Sequence, residues 1–384
     1  MTWNRVYGQE RVKEILQRLI IEDRIPHAIC MYGSEGIGKE ALALEFARTV
    51  NCLDLIRKDD TISACGICKS CKRFENLSHE NLSLIFTLPT PKSTSSQNET
   101  VISKLSDQQI KYIQEQIAFK AKDHYHKIRI SDANMIKIAS IREVKRNLTL
   151  TSNARGRRCV LVFDAEEMNP EAANAFLKTL EEPHDNITII LITSRAEMIL
   201  PTILSRCQKI RCEPLSDEII TQVLIDKHEL DNLEAKLISV FAQGSLSRAE
   251  NFLNESMKEL RQKVINVLRT ALRKKVFRTN LLNEINEFIK SPDKKKNEYF
   301  LNLMIIWLRD ALLVSKTGFT DGIINSDQEQ TIKKFADNFG NTDIPSAIEM
   351  IEKAITQIRR NVQMQLIFIN LFLELRSVFL RKTL

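Results

Sequence analysis

Two short runs, residues 159–163 (CVLVF), wholly apolar, and 187–192 (ITIILI), apolar but for Thr188, flank a segment of helical period, and that arrangement leaves few folds open. Each run is too short for a helix and does not alternate, so each reads as a strand buried on both faces. Between them Asn174, Leu177, Lys178 and Glu181 recur at helical spacing, with Pro170 near the start and Pro183 at the stop. A short helix and a third strand follow, ending at Cys212. Strands alternating with helices in this way require a parallel sheet covered by helices.

The same alternation begins earlier in the chain. Val12, Ile15, Leu16, Leu19 and Ile20 mark one helical face within 9–21, and 27–32 reads as a short buried strand. Gly33-Ser-Glu-Gly-Ile-Gly-Lys39 follows at once, and a helix over 41–50 comes next. Strand, glycine loop and helix are the setting of a phosphate-binding P-loop. There Gly33, Gly36 and Gly38 let backbone N–H groups turn toward phosphate, the helix N-terminus adds its dipole, and Lys39 adds charge. The competing reading is a glycine turn that merely precedes a helix. One position departs from the motif: Glu40 stands where a Ser or Thr hydroxyl would coordinate magnesium. A carboxylate there repels polyphosphate unless it is turned away or bridged by metal.

Cys52, Cys65, Cys68 and Cys71 offer four soft ligands in one short segment, enough for a closed tetrahedral zinc site of structural role. Two other readings remain: a zinc-free relic, and a thioredoxin-like redox pair, which lacks a surrounding βαβ pattern and uses only two of the thiols. Cys30, Cys159, Cys207 and Cys212 lie in or beside apolar strands and read as core. The N-terminus lacks the apolar core of a signal peptide, and no apolar run approaches the ~20 residues of a membrane span, so a cytoplasmic location with unpaired thiols is expected. A formal charge of +7 permits contact with nucleic acid without requiring it.

The block from Asn174 to Pro183 (NAFLKTLEEP), followed by Leu200 to Cys207 (LPTILSRC), resembles the clamp-loader branch of the AAA+ ATPases. The resemblance covers about 1–86 and 136–254. It implies an AAA+ domain over 1–212 with the zinc module at 52–74, a helical lid over 213–255, and an all-α collar over 256–384. The twelve residues between Cys52 and Cys65 exceed the family's usual first gap. It further implies that Arg206, in the Ser-Arg-Cys triplet, is an arginine finger reaching a neighbour's ATP, and that Arg248 is the second nucleotide sensor of a vestigial site. Read without the resemblance, Arg206 could cap its short helix by pairing with a local acid. The implied partners are the other clamp-loader subunits (the gamma/tau motor and delta), with the sliding clamp and primer-template DNA reached through the complex.

Residues 88–135 fit no family pattern. Within them 89–100 (PTPKSTSSQNET) reads as a polar surface loop, and Ile110, Ile113 and Ile117 mark one modest helix. Beyond residue 256 the pattern is helical, and Val362, Leu366, Ile369 and Leu373 form a stripe on the last helix, widened by Phe368, Phe372 and Leu375.

An AAA+ ATPase needs two acids at the end of its central strand, one for the magnesium shell and one to orient water. Here Phe163-Asp164-Ala165 stands in that place, so the pair is broken in either register. Counting back from Met168-Asn169 and the Ala173-Asn174 helix, which match the family, puts Phe163 at the metal position and Asp164 at that of the catalytic Glu, so Glu40 and Phe163 together remove both protein contacts to the magnesium shell. Weak or absent Mg-ATP binding is therefore expected, in a subunit that does not hydrolyse ATP by itself. Two alternatives stand beside it: a hydrolysing motor of the gamma/tau type, and a P-loop phosphotransferase acting on a small molecule.

Overall fold

The computed structural model describes residues 3–89, 105–131, 133–149, 156–181, 186–253, 257–273, 277–289, 294–359 and 362–380. The chain divides into two compact units, Met1–Glu229 with Ala242–Glu250, and Leu230–Phe241 with Asn251–Leu384.

The first unit contains α1 (Glu10–Ile21), β1 (Ala28–Tyr32), α2 (Lys39–Val50), β2 (Ile56–Lys58), β3 (Thr61–Ser63), α3 (Lys69–Glu75), β4 (Leu82–Ile85) and α4 (Asp107–Lys122). It continues through α5 (Ile138–Thr149), β5 (Arg158–Val162), α6 (Pro170–Glu181), β6 (Ile187–Thr193), α7 (Pro201–Leu204), β7 (Gln208–Arg211) and α8 (Asp217–His228). Five strands form one parallel sheet in the order β4-β5-β6-β1-β7. Every residue of β6 is buried, which a continuous apolar run requires when helices cover both faces.

Side chains alternate across the sheet. Cys30, Val160, Val162, Ile189 and Leu191 meet Ile141, Phe176 and Ile203 from α5, α6 and α7 on one face. Cys159 meets Ala47 of α2 and Phe74 of α3 on the other. Each fully buried aliphatic or aromatic side chain stabilises the fold by roughly 1.5–3 kcal/mol. The expected α/β class is thus observed.

Three local readings change. The stretch 78–86, which reads from the sequence as one strand, is extended only over β4, because His79 and Asn81 are polar and buried, and serve a turn closed by Leu82 N–H donating to His79 O at 2.9 Å. Within the cysteine segment an antiparallel hairpin, β2–β3, appears that no apolar period announces; Asp59 supplies its left-handed turn residue at φ 52°. Helix α4 buries Ile113, Gln116 and Lys120 rather than an isoleucine stripe. The helix stop at Pro183 and most of the polar loop at 89–100 lie outside the described residues.

The second unit takes in most of α9 (Asn232–Ala242) and the end of α10 (Leu246–Leu253). It is completed by α11 (Met257–Ala271), α12 (Phe277–Ile289), α13 (Lys294–Thr317), α14 (Glu329–Phe339), α15 (Ile344–Arg359) and α16 (Met364–Leu380). Helix α13 packs on α11, α14 and α15, burying Phe300, Met304, Trp307 and Leu308. One polar node interrupts this core: the Asp310 carboxylate accepts from Asn325 N–H at 2.8 Å, and Asn325 Oδ1 accepts from Arg261. On α16, Phe368, Phe372 and Leu375 are buried, while Leu366 and Leu373 face solvent, as does Val362 just before the helix. No helix among the described residues is long and apolar enough to cross a membrane.

Candidate functional site

The glycine loop joins β1 to α2. Gly36 and Gly38 have φ of 77° and 99°, a region that favours glycine. A Cβ on Gly38 would stand 2.6 Å from Tyr125 Oη, and one on Gly36 would stand 2.2 Å from Ser245 Oγ. Lys39 is only 6% exposed, and its ammonium donates to the loop's own carbonyls, Gly33 O at 2.7 Å and Ser34 O at 2.5 Å. Burial lowers its pKa below the ordinary lysine value. The cavity beside the loop has a volume of about 40 Å³. Its lining includes Gly36, Gly38, Lys39, Lys120, Tyr125 and Asp164. Arg248 lies outside that lining; its guanidinium donates to Gln243 Oε1 at 2.8 Å, and its neighbour Ser247 faces the cavity instead.

Glu40 is paired with Lys120, which comes from the last turn of α4 and is 0% exposed. The same ammonium donates to His124 O at 2.7 Å and His126 O at 2.8 Å, and lies 5.4 Å from the centre of the Phe163 ring. Asp164 accepts from Lys127 at 3.1 Å, and Lys127 also reaches Glu35 at 2.9 Å. Burial pushes the Asp164 carboxyl above its usual range, with Lys127 opposing. For Lys127, burial opposes the charge, but Asp164 and Glu35 carry its pKa above the ordinary lysine value. Sequence reasoning missed Lys120, Tyr125 and Lys127. The available signal was Glu40 itself, since a carboxylate half-buried at a helix start needs a cation.

The four candidate metal ligands converge. Sγ separations are 4.0 Å for Cys52–Cys68, 4.0 Å for Cys65–Cys71 and 3.6 Å for Cys71–Cys52. Thiolates held about 2.3 Å from one zinc ion stand roughly 3.8 Å apart at the corners of a tetrahedron. The observed spacing is compatible with that geometry. Backbone N–H groups of Cys65, Cys68 and Cys71 donate to the sulfurs of Cys52, Cys65 and Cys68 at 3.2, 3.4 and 3.4 Å. The remaining cysteines, Cys30, Cys159, Cys207 and Cys212, are buried.

Arg206 follows α7. Its Nη1 donates to Thr202 O at 2.9 Å and its Nη2 to Glu181 Oε1 at 2.8 Å, with side chains 36% and 50% exposed. The planar fork is thus held at the surface by one local acid and one helix carbonyl.

Two family models match the chain. One, described as DNA polymerase III, delta subunit, spans residues 8–216. The other, described as DNA polymerase III, delta subunit, C terminal, spans 255–377. Similar proteins include the DNA polymerase III subunit delta' of Bacillus subtilis, 25% identical over 370 residues that cover 96% of each chain. The subunit gamma of Buchnera aphidicola is 25% identical over 92% of this chain and 89% of its own. The subunit delta' of Pseudomonas aeruginosa is 25% identical over 83% of this chain and 81% of its own. With one model spanning more than half of the residues and a second spanning most of the helical unit, the chain belongs to the DNA polymerase III delta subunit family.

Proposed function

We propose that this chain is a delta-prime-type, non-hydrolysing stator of the DNA polymerase III clamp loader. In this reading it offers Arg206 to the ATP of a neighbouring motor subunit while the complex places the sliding clamp on primer-template DNA. The observation that carries the reading is the state of the magnesium positions: Glu40 is tied to a lysine, and Phe163 presents a ring where an acid is needed. Phosphoryl transfer depends almost wholly on positioning and electrostatic stabilisation, and the metal supplies much of the second. Without protein ligands for it, the chain's own contribution to hydrolysis is confined to the guanidinium it lends. A forked, permanently charged group can contact two phosphate oxygens across an interface.

The domain assignments belong to the same reading: an AAA+ domain over 1–212, a lid over 213–255 and a collar over 256–384 that joins gamma/tau and delta, all in the cytoplasm. Zinc held by Cys52, Cys65, Cys68 and Cys71 would act structurally, replacing a core in a module that has little of its own. Relatives named gamma and tau keep a second reading in view, a hydrolysing motor subunit. Steady-state ATP turnover by the isolated chain decides between them. The stator gives none above background with magnesium present, whereas turnover abolished by Lys39→Ala identifies a motor.

A further inference from the structure

We infer that the 105–131 segment occupies the nucleotide's place in this subunit, with the Lys120 ammonium standing where a bound nucleotide would bring its magnesium. The inference rests on the stator reading and adds what fills the site. An ammonium has three protons to donate, and Lys120 spends them on the Glu40 carboxylate and on the carbonyls of His124 and His126. A lysine with no exposed surface is tolerated only with such full compensation. Its partners place the charge between Glu40, at the magnesium-hydroxyl position of the loop, and Phe163, at the strand-end acid position.

The rest of the segment completes the substitution. Tyr125 Oη accepts from Tyr7 N–H at 3.0 Å and lies against Gly38, over the N-terminus of α2 where phosphate would sit. Ser247 donates to Tyr125 O at 3.2 Å and fixes the turn from the other side. Lys127 bridges Glu35 of the loop and Asp164 of the strand end. One segment therefore neutralises all three acids that face the cavity, Glu35, Glu40 and Asp164. The Lys39 ammonium donates to the carbonyls of Gly33 and Ser34 in the loop itself. The space left directly beside the loop, about 40 Å³, has room for only a few waters.

The test compares two variants of the full chain by anisotropy of a fluorescent ATP analogue with magnesium. The first, Glu40→Thr with Phe163→Asp, restores the metal contacts and keeps the segment; no binding is expected up to about 1 mM nucleotide. The second adds Lys120→Ala and Tyr125→Ala, and should bind at least tenfold more tightly. Binding by the first variant equal to that of the second overturns the inference while leaving the stator reading intact. Failure of a cooperatively folded second variant to bind overturns it as well. Should the second variant not fold, hydrogen exchange of the unmodified chain decides. Residues 33–42 and 118–127 should be protected together, with no change on adding Mg-ATP. Nucleotide that protects the loop and loosens 118–127 would show that the segment yields its place. Turnover of ATP by the unmodified chain would instead sink the stator reading.

Discussion

Replacing Arg206 by alanine should separate what the residue does for this chain from what it does for a neighbour. Within the chain its guanidinium makes two contacts, to Glu181 and to Thr202 O, both partly open to water. An exposed ion pair contributes about 0.2–1 kcal/mol, and a solvated hydrogen bond at a helix end about 0.5 kcal/mol. The expected loss is therefore about 1 kcal/mol, a fall in Tm of roughly 2–4 °C for a unit of this size. In the assembled complex the same change should cost far more at one active site, where a finger is worth about 10³–10⁵ in rate. Other sites keep working, so total DNA-stimulated ATPase should fall in part and clamp loading should fall further. Arg206→Lys should rescue poorly, because an ammonium lacks the fork. Glu181→Gln is the control: it loses the same ion pair yet keeps the guanidinium, so its ATPase should match or exceed the parent. A Tm drop beyond about 10 °C for Arg206→Ala would make the residue a structural cap. Unchanged ATPase and loading in an intact complex would refute the finger assignment outright.

Two further outcomes are expected. Protein purified without chelator should carry one zinc per chain by elemental analysis, and Cys68→Ser should lose it and open residues 52–75 to protease; a zinc-free, protease-resistant parent would refute the ligand set. Acid should destabilise the first unit through His124, which is 6% exposed with both ring nitrogens unpartnered; burial, with Arg5, Lys120 and Arg48 adding, pushes its pKa down to about 3. The folded value lies below the unfolded one of about 6.5, so this stability is full above pH 6.5 and is lost as pH falls toward 3, with about 2 kcal/mol gone by pH 5. His79 and His126 shift in the same sense, so the His124 share is read as the difference from His124→Phe in urea melts at pH 7.5 and 5. Equal losses in both proteins would refute it.

The sheet was legible because its central strands, β1, β5 and β6, are buried on both faces, which leaves runs such as 187–192 with no polar residue but threonine to confuse the period. The glycine loop was legible because Gly36 and Gly38 sit where backbone conformation restricts residue choice. Helix α4 was found, but its orientation was not. Period analysis assumes that the buried face is apolar, and here that face carries Gln116 and Lys120, which are satisfied by hydrogen bonds that no local pattern encodes. The β2–β3 hairpin was hidden for a related reason: β2 is exposed throughout, and only Ile62 and Ser63 of β3 are buried. That Arg206 pairs with a local acid was one of the two readings open from the sequence, whereas the identity of that acid, Glu181, depends on α6 and α7 lying side by side.

The contact between Glu40 and Lys120 is made inside one polypeptide, 80 residues apart, and that changes its law of mass action. A dissolved ion occupies a site in proportion to its concentration, and is lost on dilution or to a chelator. A tethered ammonium has a local concentration set by the fold, independent of how much protein or metal is in solution. Salt reaches it poorly too, because screening over about 8 Å acts chiefly on exposed charges. On the stator reading, the chain therefore holds a constant beside its glycine loop where its neighbours would hold a variable. A part that reads the same at every stage of a nucleotide cycle gives the moving parts a fixed reference.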